Sequence, residues 1–219
     1  MRKVFLDCGA HMGSSLKYFY KNFEDARQYK IYSFEPNPNF YNLYVNGKAW
    51  KDVEGFNILN FKFVPKAVWT ENVAKTFYQR EKFNSESSTL NKEKYDLRTK
   101  IGNKFKEIRV DCIDLSSWIK ENLSKEDYVV LKMDIEGAEY EVINKMCDDG
   151  TLEYINEFYC ELHNVKCGKS QEDDKKLIDR VSEYGLTMYY WDANPNANCS
   201  LREQVYNYDY INDPEYPRF

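Results

Sequence analysis

The chain has 219 residues, 42% hydrophobic and 31% charged, with 31 basic against 36 acidic side chains and a net charge of -5. That length supports one domain with an insertion and a sizeable core, and the balance excludes disorder throughout. No apolar run approaches the roughly 18 residues of a membrane span, Asp7 interrupts the first stretch too early for a signal peptide, and the lack of a basic block points away from duplex nucleic acid.

In chain order, Val4-Phe5-Leu6 is a short strand that ends in Asp7 and a glycine turn. Leu16, Phe19 and Phe23 then recur at helical spacing. A second strand runs from Ile31 to Phe34 and ends at Glu35-Pro36, and Phe40, Leu43, Tyr44 and Trp50 mark the next helix. Ile58 to Val64, with Ala67-Val68, supplies a third strand or strand end. Residues 70–110 are polar and mixed, and read as short strands with a loop, an insertion or lid. Leu115 to Leu123 is a short helix capped by Asp114 or Ser116. Tyr128 to Met133 is an apolar strand ending at Asp134, and Glu139 to Met146 is the helix after it. Phe158 to Leu162 is a fifth strand ending at His163, and Asp173 to Tyr184 is a helix stopped by Gly185. Leu186 to Trp191 and Val205 to Ile211, joined by an Asn- and Pro-rich turn, read as a closing antiparallel hairpin. Alternating strands and helices predict an α/β sandwich with a mainly parallel sheet. The whole of 1–219 is expected to form one such domain, either a minimal enzyme or one domain of a longer polypeptide.

Six cysteines, at 8, 112, 147, 160, 167 and 199, form no CxxC pair, and two histidines leave little for a zinc site. They read as reduced thiols of a cytoplasmic protein, or of the host cytoplasm for a viral chain. No secretory signal accompanies the sequons at Asn122 and Asn198, which are read as chance.

In a parallel sheet, ligands bind beyond the carboxyl ends of the strands. Asp7, Glu35, Asp134, Glu161 and His163 should gather there. The turn Asp7-Cys8-Gly9-Ala10-His11-Met12-Gly13 has the form DxGxxxG between a strand and a helix. Gly9 permits a sharp turn, and Gly13 permits close approach of a ligand or of the helix. The helix N-terminus suits a carboxylate, and an acidic residue opening the loop attracts an ammonium while repelling a pyrophosphate. Glu35, 22 residues past Gly13, stands where a carboxylate grips the two hydroxyls of a ribose. Together they describe a nucleoside with an amino-acid tail, S-adenosylmethionine. The plainer readings are a glycine-bearing turn and a charge at a helix start.

Four segments carry a family resemblance: VFLDCGAHMGSS at 4–15, SFEPNP at 33–38, VDCIDLSSWI at 110–119 and VVLKMDIEGAEYEVI at 129–143. FYCELH at 158–163 extends it, with weaker matches in KAVW at 66–69 and SSTL at 87–90. The chain resembles the FkbM family of class I S-adenosylmethionine-dependent methyltransferases. The resemblance implies a Rossmann-like sandwich with a mainly parallel seven-stranded sheet and a C-terminal antiparallel hairpin. It implies methyl transfer to hydroxyl oxygens of sugars, polyketides and related compounds. It places Asp7, Gly9, Ala10, His11 and Gly13 around the methionine moiety, Glu35 on the ribose, Ala67 and Val68 near the adenine, and Ser88 toward the carboxylate end. Lys132, Asp134, Glu136 and Glu139 belong to its central motif, and Glu161 and His163 to a strand end. It also allows fusion to, or association with, glycosyltransferases.

An alcohol is a poor nucleophile and needs a base or a metal to take its proton during transfer. His163 is the favoured base, oriented by a carboxylate, with Asp134 the other candidate. Asp134, Glu161 and His163 are the alternative, a ligand set for Mg²⁺ or Mn²⁺. Lys132 pairs with these carboxylates or buries its stem beneath a solvated head. Glu139 and Glu141 suit the first turns of a helix. Tyr189, Tyr190, Trp191, Tyr206, Tyr208 and Tyr210 form either a sugar-stacking platform or ordinary packing. The expected function is O-methylation of a sugar or glycan hydroxyl. The alternatives are a polyketide or other natural-product acceptor, or an inactive cofactor-binding domain. A dinucleotide oxidoreductase is disfavoured because no GxGxxG is present.

Overall fold

A computed structural model describes residues 1–82 and 87–191. Nine strands and six α-helices are found among them: β1 (Lys3–Cys8), α1 (Ser14–Asn22), β2 (Lys30–Phe34), α2 (Pro38–Val45), β3 (Phe61–Val64), β4 (Ala67–Trp69), β5 (Ala74–Arg80), α3 (Lys92–Lys100), β6 (Phe105–Asp114), α4 (Leu115–Asn122), β7 (Tyr128–Met133), α5 (Glu139–Asp148), β8 (Glu157–Cys160), α6 (Gln171–Ser182) and β9 (Met188–Tyr190). No helix among the described residues is long and apolar enough to cross a membrane.

Six strands form the central sheet in the order β3-β2-β1-β7-β8-β9, and every neighbouring pair is parallel. Side chains alternate across a strand, so β1 and β7 feed two cores. Val4, Leu6, Val129, Leu131 and Met133 join Ile143, Met146 and Val181 on the face covered by α4, α5 and α6. Phe5 and Val130 join Phe19, Tyr44, Tyr159 and Trp191 on the face covered by α1 and α2. Helices on both faces of a parallel sheet make the expected α/β sandwich.

The ends of the elements follow local chemistry. Asp114 caps α4 by accepting from the Ser117 N–H at 3.1 Å. Ser170 and Asp173 form a reciprocal capping box that starts α6 at Gln171, two residues before the sequence pattern places it. Asn37 caps α2, with Pro38 at the first helical position where its missing N–H costs nothing.

One expectation needs correction, and another reaches beyond the described residues. The described sheet has six strands, and its last, β9, lies parallel to β8 with Phe158 opposite Met188. β9 falls within Leu186 to Trp191, the expected first arm of the closing hairpin. The second arm, Val205 to Ile211, and Tyr206, Tyr208 and Tyr210 lie outside the described residues. Residues 70–110 hold more than short strands and a loop. β5 and β6 pair antiparallel from Ala74–Asp111 to Arg80–Phe105, β4 runs parallel to β6, and α3 packs beside them. The helix escaped the sequence pattern because Tyr95 and Leu97 alone break its polar run. Its N-cap Asn91 and its one buried residue, Lys94, anchor it instead.

The five described cysteines are free and buried. Trp191 is 1% exposed and meets the rings of Tyr18 at 5.2 Å and Tyr159 at 5.9 Å, so it is core and not part of a sugar platform.

Candidate active site

The strand ends β1, β2, β7 and β8 converge, and their polar residues form two adjoining regions. In the first, Asp7 is fully buried. Its Oδ2 accepts from Ser15 Oγ at 2.6 Å and Ser33 Oγ at 3.1 Å. Its Oδ1 has no hydrogen-bond donor among the described residues and lies 3.5 Å from Lys132 Nζ. The turn after it folds back over β7. Gly9 has φ +80°, and a Cβ there would lie 1.7 Å from the Asp134 carbonyl oxygen, so only glycine fits. Gly13 is also required, but by the protein itself: a Cβ there would lie 2.4 Å from the Ala49 carbonyl oxygen. The N–H groups of Gly9 and Ala10 both donate to Phe34 O at 3.0 Å, and Tyr44 Oη donates to Ala10 O at 2.8 Å. His11 adopts φ +46°, and its backbone N–H donates to Glu35 Oε2 at 2.8 Å. Its ring stands edge-on to Phe40.

Glu35 is 7% exposed and also accepts from the Asn37 N–H at 2.8 Å. Burial raises its carboxyl to about 7, against the two backbone hydrogen bonds that favour the anion. It lines a cleft of about 230 Å³ with Tyr41, Phe63, Pro65 and Arg109 among its walls. Ala67 and Val68 are buried in the cores behind the small and central sheets. Ser88 Oγ accepts from the Arg80 N–H at 3.1 Å, which ties it to β5.

The second region surrounds His163, which is 4% exposed. Its Nδ1 lies 3.0 Å from Glu139 Oε1. Its Nε2 lies 3.3 Å from Glu136 Oε2, 3.6 Å from Glu161 Oε1 and 3.9 Å from Asp134 Oδ1. β8 ends at Cys160, so 161–163 belong to the loop beyond it, and that loop turns both side chains toward Asp134. Lys132 lies at the junction of the two regions. It donates to Gly9 O at 2.7 Å and Cys8 O at 3.2 Å, and is 3.5 Å from both Asp7 and Asp134. Its head is 2% exposed, which corrects the solvated-head reading: the ammonium ties the β1 turn to β7. Burial pulls the Lys132 ammonium down, but Asp134 and Asp7 outweigh it and leave it raised. Burial likewise opposes the Asp134 anion, but Lys132 and His163 hold its carboxyl below its usual value. Glu161 goes the other way, raised to about 7 by burial and by Asp134.

Glu139, a residue of the central motif also expected to serve the helix dipole, is fully buried, accepts from Ile135 N and Gly137 N at 2.8 Å each, and orients His163. Three further contributors, Thr89, Asn91 and Lys94, have no role in a linear reading. Thr89 Oγ1 donates to Glu136 O at 2.6 Å, and Asn91 Nδ2 to Gly137 O at 3.3 Å, so the segment before α3 clasps the loop after β7. Lys94 on α3 is fully buried and pairs with Glu136 Oε2. Burial lowers its ammonium to about 8. Glu136 itself sits at φ +60°, a left-handed conformation that costs energy outside glycine and asparagine.

Among the described residues, the donor atoms of Asp134, Glu136 and His163 come within 4.8 Å of one another, as around one metal ion. This set differs from the sequence-expected set by replacing Glu161 with Glu136.

A sequence model described as Methyltransferase FkbM domain matches residues 7–188. A crystal structure of Methyltransferase FkbM from Methylobacillus flagellatus KT is similar at 15% identity with a TM-score of 0.39, over 66% of this chain and 29% of that one. The chain therefore spans less than a third of that protein's length. No curated protein sequence matches it. With strand ends, turn and central loop all inside the matched residues, the chain belongs to the FkbM methyltransferase family.

Proposed function

We propose that the chain methylates a hydroxyl oxygen of a sugar or glycan, using S-adenosylmethionine, with His163 as general base. One observation carries the base assignment: a buried imidazole is held on Nδ1 by Glu139 while Nε2 faces the side chains of Asp134, Glu136 and Glu161. This is the geometry of an oriented base, in which a carboxylate fixes the tautomer and stabilises the imidazolium that forms.

The residues of the first region fit the cofactor. Asp7 places a buried negative charge behind the turn, beside Lys132, and α1 begins at Ser14 after its N-cap Gly13 with no side chain capping its first N–H groups, suited to a carboxylate. Glu35 uses one lone pair of each oxygen on backbone N–H groups and retains others for ribose hydroxyls. When bound, S-adenosylmethionine supplies an electrophilic methyl carbon and leaves as a neutral thioether. His163 Nε2 takes the acceptor's hydroxyl proton as the oxygen–carbon bond forms and the carbon–sulfur bond breaks. Asp134 and Glu161 then place negative charge beside the new imidazolium.

The same carboxylates favour a polyhydroxyl acceptor over an apolar polyketide, because a sugar's other hydroxyls can donate to them. The oriented His163 counts against an inactive cofactor-binding domain. The family match leaves no role for a nicotinamide.

Calorimetric titration with S-adenosylhomocysteine tests the pocket, and transfer of labelled methyl to a panel of sugars tests the chemistry. Saturable binding that Glu35→Ala abolishes is expected. His163→Ala should retain binding and lose transfer by about 10²-fold or more. Full transfer by His163→Ala overturns the base assignment.

A further inference from the structure

We propose that Lys94, brought in on α3, is the resident cation of the His163 cluster, seated where a divalent ion would otherwise bind. This inference rests on the reading of His163 as base. The donor atoms of Asp134, Glu136 and His163 lie within 4.8 Å of one another, and Nε2 stands 3.3 Å from Glu136 Oε2 and 3.9 Å from Asp134 Oδ1, with Glu161 Oε1 a third neighbour at 3.6 Å. Ligands about 2.1 Å from one ion in octahedral geometry are separated by about 3 Å when adjacent and about 4.2 Å when opposite. The cluster is thus spaced like a coordination sphere, but its shared oxygen is already engaged. Glu136 Oε2, the atom nearest His163 Nε2, is the partner of the Lys94 ammonium.

That ammonium is no chance surface pairing. Lys94 is the one buried residue of a mostly polar helix. Two separate hydrogen bonds fix the approach of its segment, from Thr89 to Glu136 O and from Asn91 to Gly137 O. A buried lysine with no anionic partner is strongly unfavourable, and Glu136 supplies that partner. The consequence falls on Nε2. A metal ion in this seat would take the Nε2 lone pair, whereas an ammonium on Glu136 neutralises the carboxylate and leaves Nε2 free to accept a proton. Lys94 is a positioning residue in this account, acting on His163 through Glu136.

The test is Mn²⁺ binding to the full chain, read by loss of the free-ion EPR signal, with S-adenosylhomocysteine affinity measured on the same samples. Wild type should show no saturable equivalent that depends on His163. Lys94→Met should gain one, roughly tenfold tighter or more, and His163→Ala in that background should remove it. A His163-dependent Mn²⁺ site in the wild type overturns the proposal, as does a folded Lys94→Met chain that gains none. Should Lys94→Met fail to fold, adding Glu136→Gln must restore folding, since it removes the stranded charge. Absence of that rescue also overturns the proposal. Failure of the wild type to bind S-adenosylhomocysteine would instead count against the proposed function, whatever Mn²⁺ does.

Discussion

Glu35 illustrates how one side chain links the turn, the cofactor cleft and stability. Its carboxyl is raised from 4.5 to about 7, chiefly by burial. The folded chain therefore holds a proton that the unfolded chain releases between those values. Stability should fall as pH rises through that window, by on the order of 3 kcal/mol from this group. Glu161, also raised to about 7, acts in the same direction. Cofactor binding should run the other way, because ribose hydroxyls donate best to the anion. Urea midpoints from pH 4.5 to 7.5 check this: Glu35→Gln should flatten the profile. An unchanged slope would mean that Glu35 is not the group responsible. His11 teaches the converse lesson. The turn uses its backbone N–H and tolerates its positive φ, so the sequence gives no residue-type reason for a histidine there.

The segment 87–100 is the element that most changes the picture. Residues 88–91 return alongside β5 through paired backbone hydrogen bonds between Tyr78 and Thr89, at 2.8 and 3.1 Å. From there Thr89 and Asn91 reach the loop that carries Asp134 and Glu136. Asn91 serves twice, since its Oδ1 also caps α3 by accepting from the Lys94 N–H at 2.9 Å. Asn91→Ala should cost about 1 kcal/mol through the cap alone. It should also speed amide exchange at both 92–100 and 134–139, because the Asn91 half of the clasp is lost with the cap. Hydrogen-exchange mass spectrometry checks this, and acceleration confined to the helix would show that the clasp contributes nothing to the loop.

At the scale of the molecule, two apolar clusters on opposite faces of one parallel sheet hold the strand ends in register. β1 and β7, at the centre, belong to both clusters and carry Asp7, Lys132 and, just beyond, Asp134. Trp191, beyond the last described strand, closes the second cluster against Phe5, Tyr18 and Tyr159. Trp191→Ala should cost about 3–5 kcal/mol through the cavity it leaves. Urea unfolding followed by circular dichroism checks the value, and a loss under about 1 kcal/mol would remove Trp191 from the core.

The sequence by itself determined the alternation of strands and helices, the glycine turn after β1 and the gathering of Asp7, Glu35, Asp134 and His163 at one sheet edge. These follow from local rules: periods of 2 and 3.6 residues, the φ freedom of glycine, and the direction of parallel strands. Only the tertiary structure decided which carboxylate orients His163, which oxygen Lys94 holds, and that β9 lies parallel to β8. The His163–Glu139 and Lys94–Glu136 pairs join residues 24 and 42 positions apart. No local periodicity specifies a pairing at that separation. α3 was illegible for a related reason: a cap, a clasp and one buried ammonium hold it in place, and none of these needs an apolar stripe.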